Sequence, residues 1–92
     1  MKVMTTFSVR PGFLKEAAAR FLAGQAAPVE GTTLLGRWHN ADGSGGFALF
    51  ETSSPEALFE GAVKWADVLE IHGHVVVDDN AAGASMAKYY GK

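Results

Sequence analysis

The sequence contains no cysteine among its 92 residues, which excludes disulfides, thiol nucleophiles and thiolate metal sites. It also has no cluster of basic residues, because eight lysines and arginines are set against ten acidic residues and the formal net charge is −2. Nucleic-acid binding depends on a basic footprint. This balance therefore argues against a nucleic-acid partner.

Long hydrophobic runs are missing as well. No stretch reaches the roughly 18 consecutive apolar residues that a membrane-spanning helix needs. The opening segment MKVMTTFSV alternates apolar and polar residues instead of forming the apolar core of a signal peptide. We therefore expect a cytoplasmic protein with no membrane partner.

The sequence does have a large apolar content for its length, since 48% of the residues are hydrophobic. A chain of this length predicts a single domain over residues 1–92, because two cores would each be too small to be stable. Such a domain buries only roughly 60–65% of its unfolded surface. A second copy of the chain is the simplest cover for the remaining apolar surface, so we expect a homodimer.

The order of hydrophobic patterns predicts an α+β fold. Apolar residues alternate over segments typical of strands, and recur at helical spacing over segments typical of helices. The predicted strands cover 2–9, 32–40, 45–52 and 71–78, and the predicted helices cover 13–24 and 53–70, with a short terminal helix started by Asp79. Ser54 is the expected N-cap of the second helix, followed by Pro55 at its first position.

This β-α-β-β-α-β order is the split βαβ pattern of ferredoxin-like folds. It predicts a four-stranded antiparallel sheet with strand order 4-1-3-2 and both helices on one face. The other face, called the open face below, must meet water, a ligand or a second subunit.

The glycine-rich segment HNADGSGG (39–46) is predicted to be a hairpin turn. A phosphate-binding loop needs a helix after it and usually a lysine at its end, whereas here a strand follows and no lysine is present. Asp42 and Gly43 are suited to the two central positions of a type I′ turn. That turn pairs Trp38 with Phe47, and Leu35 with Phe50.

The predicted hairpin register divides the side chains between two faces. We assign one set to the helix-covered core, namely Gly36, Trp38, Phe47 and Leu49 together with Val3, Phe7 and Val9. The open face then carries Met4, Thr6, Ser8, Leu35, Arg37, His39, Ala48 and Phe50. Its mixture of apolar and polar residues suits a dimer interface, with or without a ligand cavity.

The candidate ligand pocket lies on this open face, and its predicted residues are Met4, Thr6, Ser8, Arg37, His39, Phe50 and His74. Arg37 is the candidate anion anchor and His39 the candidate proton shuttle, so both are candidate catalytic residues. The structural alternative pairs Arg37 with a carboxylate of a second subunit, such as Glu51 or Asp78.

A metal site is not expected, and no cofactor is predicted. His72 and His74 lie on one face of a strand, but His39 belongs to the opposite edge, three strand spacings of ~4.8 Å away. Two histidines are short of the three or four ligands that hold zinc tightly. Polar residues at an edge strand, which discourage aggregation, explain the pair more simply.

Several segments resemble, in order, a family of small bacterial domains of unknown function that is similar to the dimeric α/β-barrel superfamily. These segments are GRWH (36–39), GGFALFET (45–52), SPEAL (54–58), WADVL (65–69) and VVDD (76–79). The resemblance covers nearly the whole chain. It implies a ferredoxin-like subunit whose open sheet face packs against that of a twin to form a barrel.

The superfamily includes cofactor-free monooxygenases, haem-degrading oxygenases, muconolactone-type isomerases and stress-responsive proteins without assigned activity. Haem degraders use an asparagine, a tryptophan and a histidine; Trp38 and His39 match in type, but the first strand offers Thr6 and Ser8 instead of asparagine. The resemblance thus implies a homodimeric domain with a small-molecule cavity. The alternatives are a cofactor-free monooxygenase or isomerase acting on a small anionic or aromatic substrate, and a purely structural or regulatory module.

Overall fold

Seven elements follow one another along the chain, and the computed structural model describes residues 1–91. They are β1 (Lys2–Val9), α1 (Leu14–Leu22), β2 (Thr32–His39), β3 (Gly45–Thr52), α2 (Pro55–Trp65), β4 (Leu69–Val76) and α3 (Asp79–Tyr90). The strands form one antiparallel sheet in the order β2-β3-β1-β4. The predicted ferredoxin-like fold and its strand order are therefore confirmed.

The second and third helices begin at side-chain caps, whereas α1 begins after Phe13 without one. Ser54 Oγ accepts a hydrogen bond from the backbone N–H of Ala57 at 3.1 Å, and Pro55 occupies the first helical position as predicted. α3 starts at Asp79, but its cap is the preceding residue, because Asp78 Oδ1 accepts from the N–H of Ala81 at 2.9 Å.

α2 ends five residues before the predicted boundary at residue 70, because the next segment joins the sheet. The carbonyl of Val68 accepts from the N–H of Arg10 at 2.9 Å, and the Val68 side chain is fully buried. β4 consequently begins at Leu69, which the helical pattern had placed in the helix.

The glycine-rich segment is a hairpin turn, as predicted, but of a different type. Gly43 has a φ of 78°, whereas no non-glycine residue among the described ones has a positive φ, so Asp42 does not adopt the type I′ conformation. The turn instead closes through a hydrogen bond from Gly43 N–H to the carbonyl of Asn40 at 2.9 Å, and the Asp42 carboxylate accepts from Ser44 N–H at 3.0 Å.

This longer turn leaves the predicted pairing intact next to it. Trp38 lies opposite Phe47, and Arg37 opposite Ala48, as the sequence indicated. The pairing of Leu35 with Phe50 is wrong, because a bulge between Leu34 and Gly36 places Leu34 opposite Phe50.

The predicted faces are correct for β1 and wrong for β2 and β3. β1 pairs with β3 so that Thr5 lies opposite Ala48 and Thr6 opposite Phe47, and directly opposed residues share a face. The face toward α1 and α2, called the covered face below, carries Val3, Thr5, Phe7, Val9, Arg37, His39, Ala48 and Phe50. The open face carries Met4, Thr6, Ser8, Gly36, Trp38, Phe47, Leu49, His72 and His74.

The buried apolar core among the described residues is small, and it consists of Val3, Ala17, Ala48, Ala57 and Val68. Large aromatic side chains remain exposed on the open face, where Trp38 is 58% and Phe47 42% accessible. α3 buries none of its residues. Within residues 1–91 no helix combines the length and the apolar character that crossing a membrane requires.

Candidate functional site

A cavity of about 430 Å³ lies between the covered face and the two helices. It forms because the helix residues that line it include many with little or no side chain, so these cannot fill the space above the sheet. These small residues are Ala17, Ala18, Ala57, Gly61 and Ala62. The larger lining side chains are mainly apolar, and they are Phe7, Phe21, Phe50, Leu58, Trp65 and Ile71.

Arg37 is the cation on the sheet side of this cavity, where it is half-buried. Its Nη2 donates to the carbonyl of Ala26 at 2.7 Å, and its guanidinium carbon lies 5.8 Å from the centre of the Phe21 ring. Desolvation lowers the pKa of Arg37 from its usual value, although an arginine keeps its charge at working pH. Among residues 1–91, no carboxylate forms an ion pair with it.

His39 lies at the rim of the cavity, two residues further along β2 on the same face. Its ring meets two phenylalanine rings edge to face, with centroid separations of 5.7 Å to Phe7 and 5.3 Å to Phe21. The glycine loop borders the same region through Gly43 and Gly45. The side chain is exposed and therefore reachable from solvent.

Lys64, in the last turn of α2, adds the remaining formal cation of the lining. No aspartate or glutamate of the described chain lines the cavity. The two lining threonines already use their hydroxyl hydrogens, because Thr5 donates to the carbonyl of Ala48 and Thr32 to that of Val29. The polar groups that can meet a ligand are therefore mostly cationic or imidazole.

An ion-pair cluster joins α1 to the turn between α2 and β4, beside Trp65, which lines the cavity. Arg20 donates to both carboxylate oxygens of Asp67 and, at 3.0 Å, to Glu16, while its guanidinium carbon lies 5.8 Å from the centre of the Trp65 ring. Hydrogen bonding from Arg20 lowers the pKa of Asp67, and the same carboxylates raise the pKa of Arg20. This cluster therefore connects α1 to the segment that follows α2, beside Trp65.

The predicted pocket residues divide into two groups on opposite faces of the sheet. Arg37, His39 and Phe50 line the cavity under the helices. The remaining four, Met4, Thr6, Ser8 and His74, lie on the open face. The sheet separates the groups, so a single chain cannot bring all seven residues around one ligand.

Sequence reasoning missed the helix side of the cavity. The signal was present, since α1 contains three consecutive alanines and α2 combines Ala57, Gly61 and Ala62 at helical spacing. Such small residues on the inner sides of both helices indicate either close packing or an empty space above the sheet.

The histidines do not converge. His39 lies on β2 and on the covered face, whereas His72 and His74 lie on β4, at the other edge and on the open face. His72 Nε2 lies 3.4 Å from a carboxylate oxygen of Glu70. Over residues 1–91 no three histidine, aspartate or glutamate side chains are close enough together to hold a metal ion.

The fold has counterparts among solved structures. The chain is similar to 5-chloro-2-hydroxyhydroquinone dehydrochlorinase from Burkholderia phenoliruptrix, solved with 2,5-dihydroxybenzoquinone, at 18% identity and a TM-score of 0.57 over 88% of this chain and 98% of that one. It is also similar to Rv0793 from Mycobacterium tuberculosis, at 16% identity and a TM-score of 0.50 over 85% of this chain and 95% of that one. Both belong to the dimeric α/β-barrel superfamily, and at such identities the likeness shows the fold alone.

No curated protein matches the chain. The profile of a family described as a domain of unknown function, DUF3303, matches residues 1–90.

Proposed function

The chain belongs to DUF3303, whose function is unknown, and we propose from its geometry that it is a homodimeric α/β-barrel domain that binds a small molecule between the covered face and the helices. The cavity carries this proposal. Its volume of about 430 Å³ falls within the roughly 300–1,000 Å³ of small-molecule sites, which combine apolar walls with a few polar groups. Here those groups are Arg37 and His39.

In this proposal the two faces of the sheet have separate roles. The covered face holds the cavity, while the open face presents Trp38 and Phe47, which lie opposite each other on neighbouring strands. Trp38 lies flat along β2 because Gly36 has no side chain, and the indole occupies the space that a side chain there would need. A flat exposed aromatic surface of this kind suits a second copy, and the likeness to dimeric α/β-barrel proteins supports that arrangement.

A second candidate function is catalysis without a cofactor, as an oxygenase or isomerase. The observation that favours it is the placement of His39 at the cavity rim, on the same face as Arg37. An imidazole can move a proton to or from a ligand that a guanidinium holds. The dehydrochlorinase to which the chain is similar is named for a hydroxylated aromatic substrate, which makes hydroquinones a reasonable first class to assay.

The binding proposal is tested by filling the cavity. Gly61 lines the cavity, and an added Cβ at this position meets nothing within 4 Å, so we expect the side chain of Gly61→Leu to extend into the cavity. Calorimetric titration would use 2-naphthoate, 2-naphthamide and 2-naphthylmethylamine, which share one bicyclic body and differ in the head group. We expect at least one to bind the parent, and its affinity to fall at least about tenfold in Gly61→Leu, because the apolar body loses its burial.

The matched control is Gly83→Leu. Gly83 is also a helical glycine with nothing within 4 Å of an added Cβ, but it belongs to α3 and does not line the cavity. This variant should bind like the parent. Equal loss in both variants, or unchanged binding in Gly61→Leu, would contradict a site between the sheet and the helices.

A further inference from the structure

We propose that the ligand of this cavity is an amphipathic monocarboxylate, an aryl or medium-chain alkyl acid whose carboxylate pairs with Arg37 and whose apolar body lies between the sheet and α2. This inference rests on the proposed binding function and adds the chemical class and the orientation of the ligand.

The charges around the cavity favour an anion. The chain as a whole is acidic, with ten acidic residues against eight basic ones. The cavity nevertheless has Arg37 and Lys64 in its lining and no acidic side chain of the described residues. An anionic ligand would therefore meet attraction from both cations without an opposing carboxylate, while a cationic ligand would be repelled by both.

Arg37 has hydrogen-bonding capacity to spare. One of its N–H groups donates to Ala26, and among residues 1–91 its side chain makes no other hydrogen bond. A half-buried cation without a counter-ion is unfavourable, and its lowered pKa expresses that desolvation. A carboxylate matches the planar fork of a guanidinium with two parallel hydrogen bonds, which supplies both the charge and the acceptors that the site lacks.

The surroundings of Arg37 favour a carboxylate over a phosphate. Phosphate sites usually add a helix N-terminus or a glycine-rich nest of backbone N–H groups. Arg37 lies inside a strand, paired with Ala48 of β3, so the local backbone is committed to the sheet. Lys64 is exposed in the last turn of α2 and remains hydrated, which leaves one cation for the inner end of the ligand.

The rest of the cavity favours an apolar body attached to the acid. The centre of the Phe21 ring lies 5.8 Å from the guanidinium carbon of Arg37. An aromatic wall therefore begins directly beside the anion site. The wall continues through Phe50, Leu58 and Trp65. A small polar anion such as acetate would leave this surface uncovered, whereas an arene or alkyl chain buries it.

The test compares the same three naphthalene probes on the parent, Arg37→Gln and Arg10→Gln. Arg10 is the matched control because it also donates to one backbone carbonyl, that of Ala66 at 2.8 Å, and does not line the cavity. We expect the parent and Arg10→Gln to bind 2-naphthoate at least about tenfold more tightly than 2-naphthamide, since a hydrogen-bonded ion pair supports a difference of that size. In Arg37→Gln the two affinities should become equal.

Each of the other titration results overturns a specific part of the proposal. Equal binding of the three probes to the parent, still lost in Gly61→Leu, keeps the cavity but overturns the carboxylate class. Absence of binding for all probes overturns the class and the binding function together. A preference for 2-naphthoate that survives in Arg37→Gln overturns the role of Arg37.

A second variant, Arg37→Lys, tests the role of Arg37 if Arg37→Gln does not fold. Arg37→Lys keeps the charge and loses the planar fork, so its affinity for 2-naphthoate should fall while that for 2-naphthamide stays the same. Unchanged affinity for 2-naphthoate would then overturn the bidentate pairing.

Discussion

At the scale of single residues, Thr52 joins three segments of the chain. It is the buried polar residue of the described core, at 5% exposure. Its hydroxyl donates to the carbonyl of Gly31 at 2.6 Å and accepts from the N–H of Ser54 at 3.0 Å. One side chain therefore links the start of β2, the end of β3 and the cap of α2.

We expect Thr52→Val to destabilise the fold by about 1–3 kcal/mol, because it removes the partner of two partly buried backbone groups while keeping the side-chain shape. Urea denaturation followed by circular dichroism measures the change in the free energy of unfolding. Thr33→Val on β2 is the control, since Thr33 is exposed and should change stability by less than about 0.5 kcal/mol. Equal effects of the two substitutions would show that the hydroxyl of Thr52 contributes nothing specific.

Arg37 shows how far residue-level prediction reaches. The sequence identifies it, with His39, as a pair with chemical potential, and the hairpin chemistry of Asp42 and Gly43 correctly pairs it with Ala48. The face on which the Arg37 side chain lies depends on which residue of β1 lies opposite Ala48. That residue is Thr5, which is 43 positions from Ala48 in the sequence. Because a one-residue slip moves every side chain to the other face, local patterns cannot decide between cavity and open face.

At the scale of elements, α2 and α3 differ in what they contact. α2 buries Ala57 and forms a wall of the cavity, whereas α3 has no buried residue. Both contain a glycine in their interior, Gly61 and Gly83, without any neighbour for an added Cβ. Substitutions at these two glycines therefore test whether each helix unfolds together with the rest of the domain.

We expect Gly61→Ala to raise the free energy of unfolding by up to about 1 kcal/mol, which is the usual cost of glycine in a helix interior relative to alanine. Gly83→Ala should raise it less, because an unpacked helix frays before global unfolding. Thermal denaturation of the two variants at one concentration measures the difference. An equal gain from Gly83→Ala would mean that α3 unfolds together with the sheet.

The elements themselves were largely predictable, because their signals are local. Ser54 and Pro55 identify the start of α2, and alternation identifies β1. The end of α2 was not predictable, since it depends on the backbone contact between Val68 and Arg10 at the far end of β1. Leu69 fits a helical stripe and a strand equally well, and the sheet decides the outcome.

At the scale of the whole molecule, the sheet separates two surfaces of different character. The covered face borders a half-open cavity that residues of α1 and α2 also line. The open face has no cover from any described element and exposes Trp38 and Phe47. Ligand binding and assembly should therefore be separable by substitution.

We expect the parent protein to form a dimer, with light scattering after gel filtration giving about twice the chain mass. Phe47→Asp should convert it to a monomer, because the substitution places a charge in the proposed interface on the open face, where desolvation costs several kcal/mol. Binding of 2-naphthoate per chain should survive, since the Arg37 cavity lies on the other side of the sheet.

Phe59→Asp provides the matched control for this assembly. Phe59 is 72% exposed and belongs to α2, so the same chemical change falls outside the open face. This variant should remain a dimer. A parent that stays monomeric at high micromolar concentration would refute the barrel assembly, and dissociation caused by Phe59→Asp but not by Phe47→Asp would place the interface on the helices. Loss of 2-naphthoate binding together with the dimer would mean that the cavity depends on the second subunit.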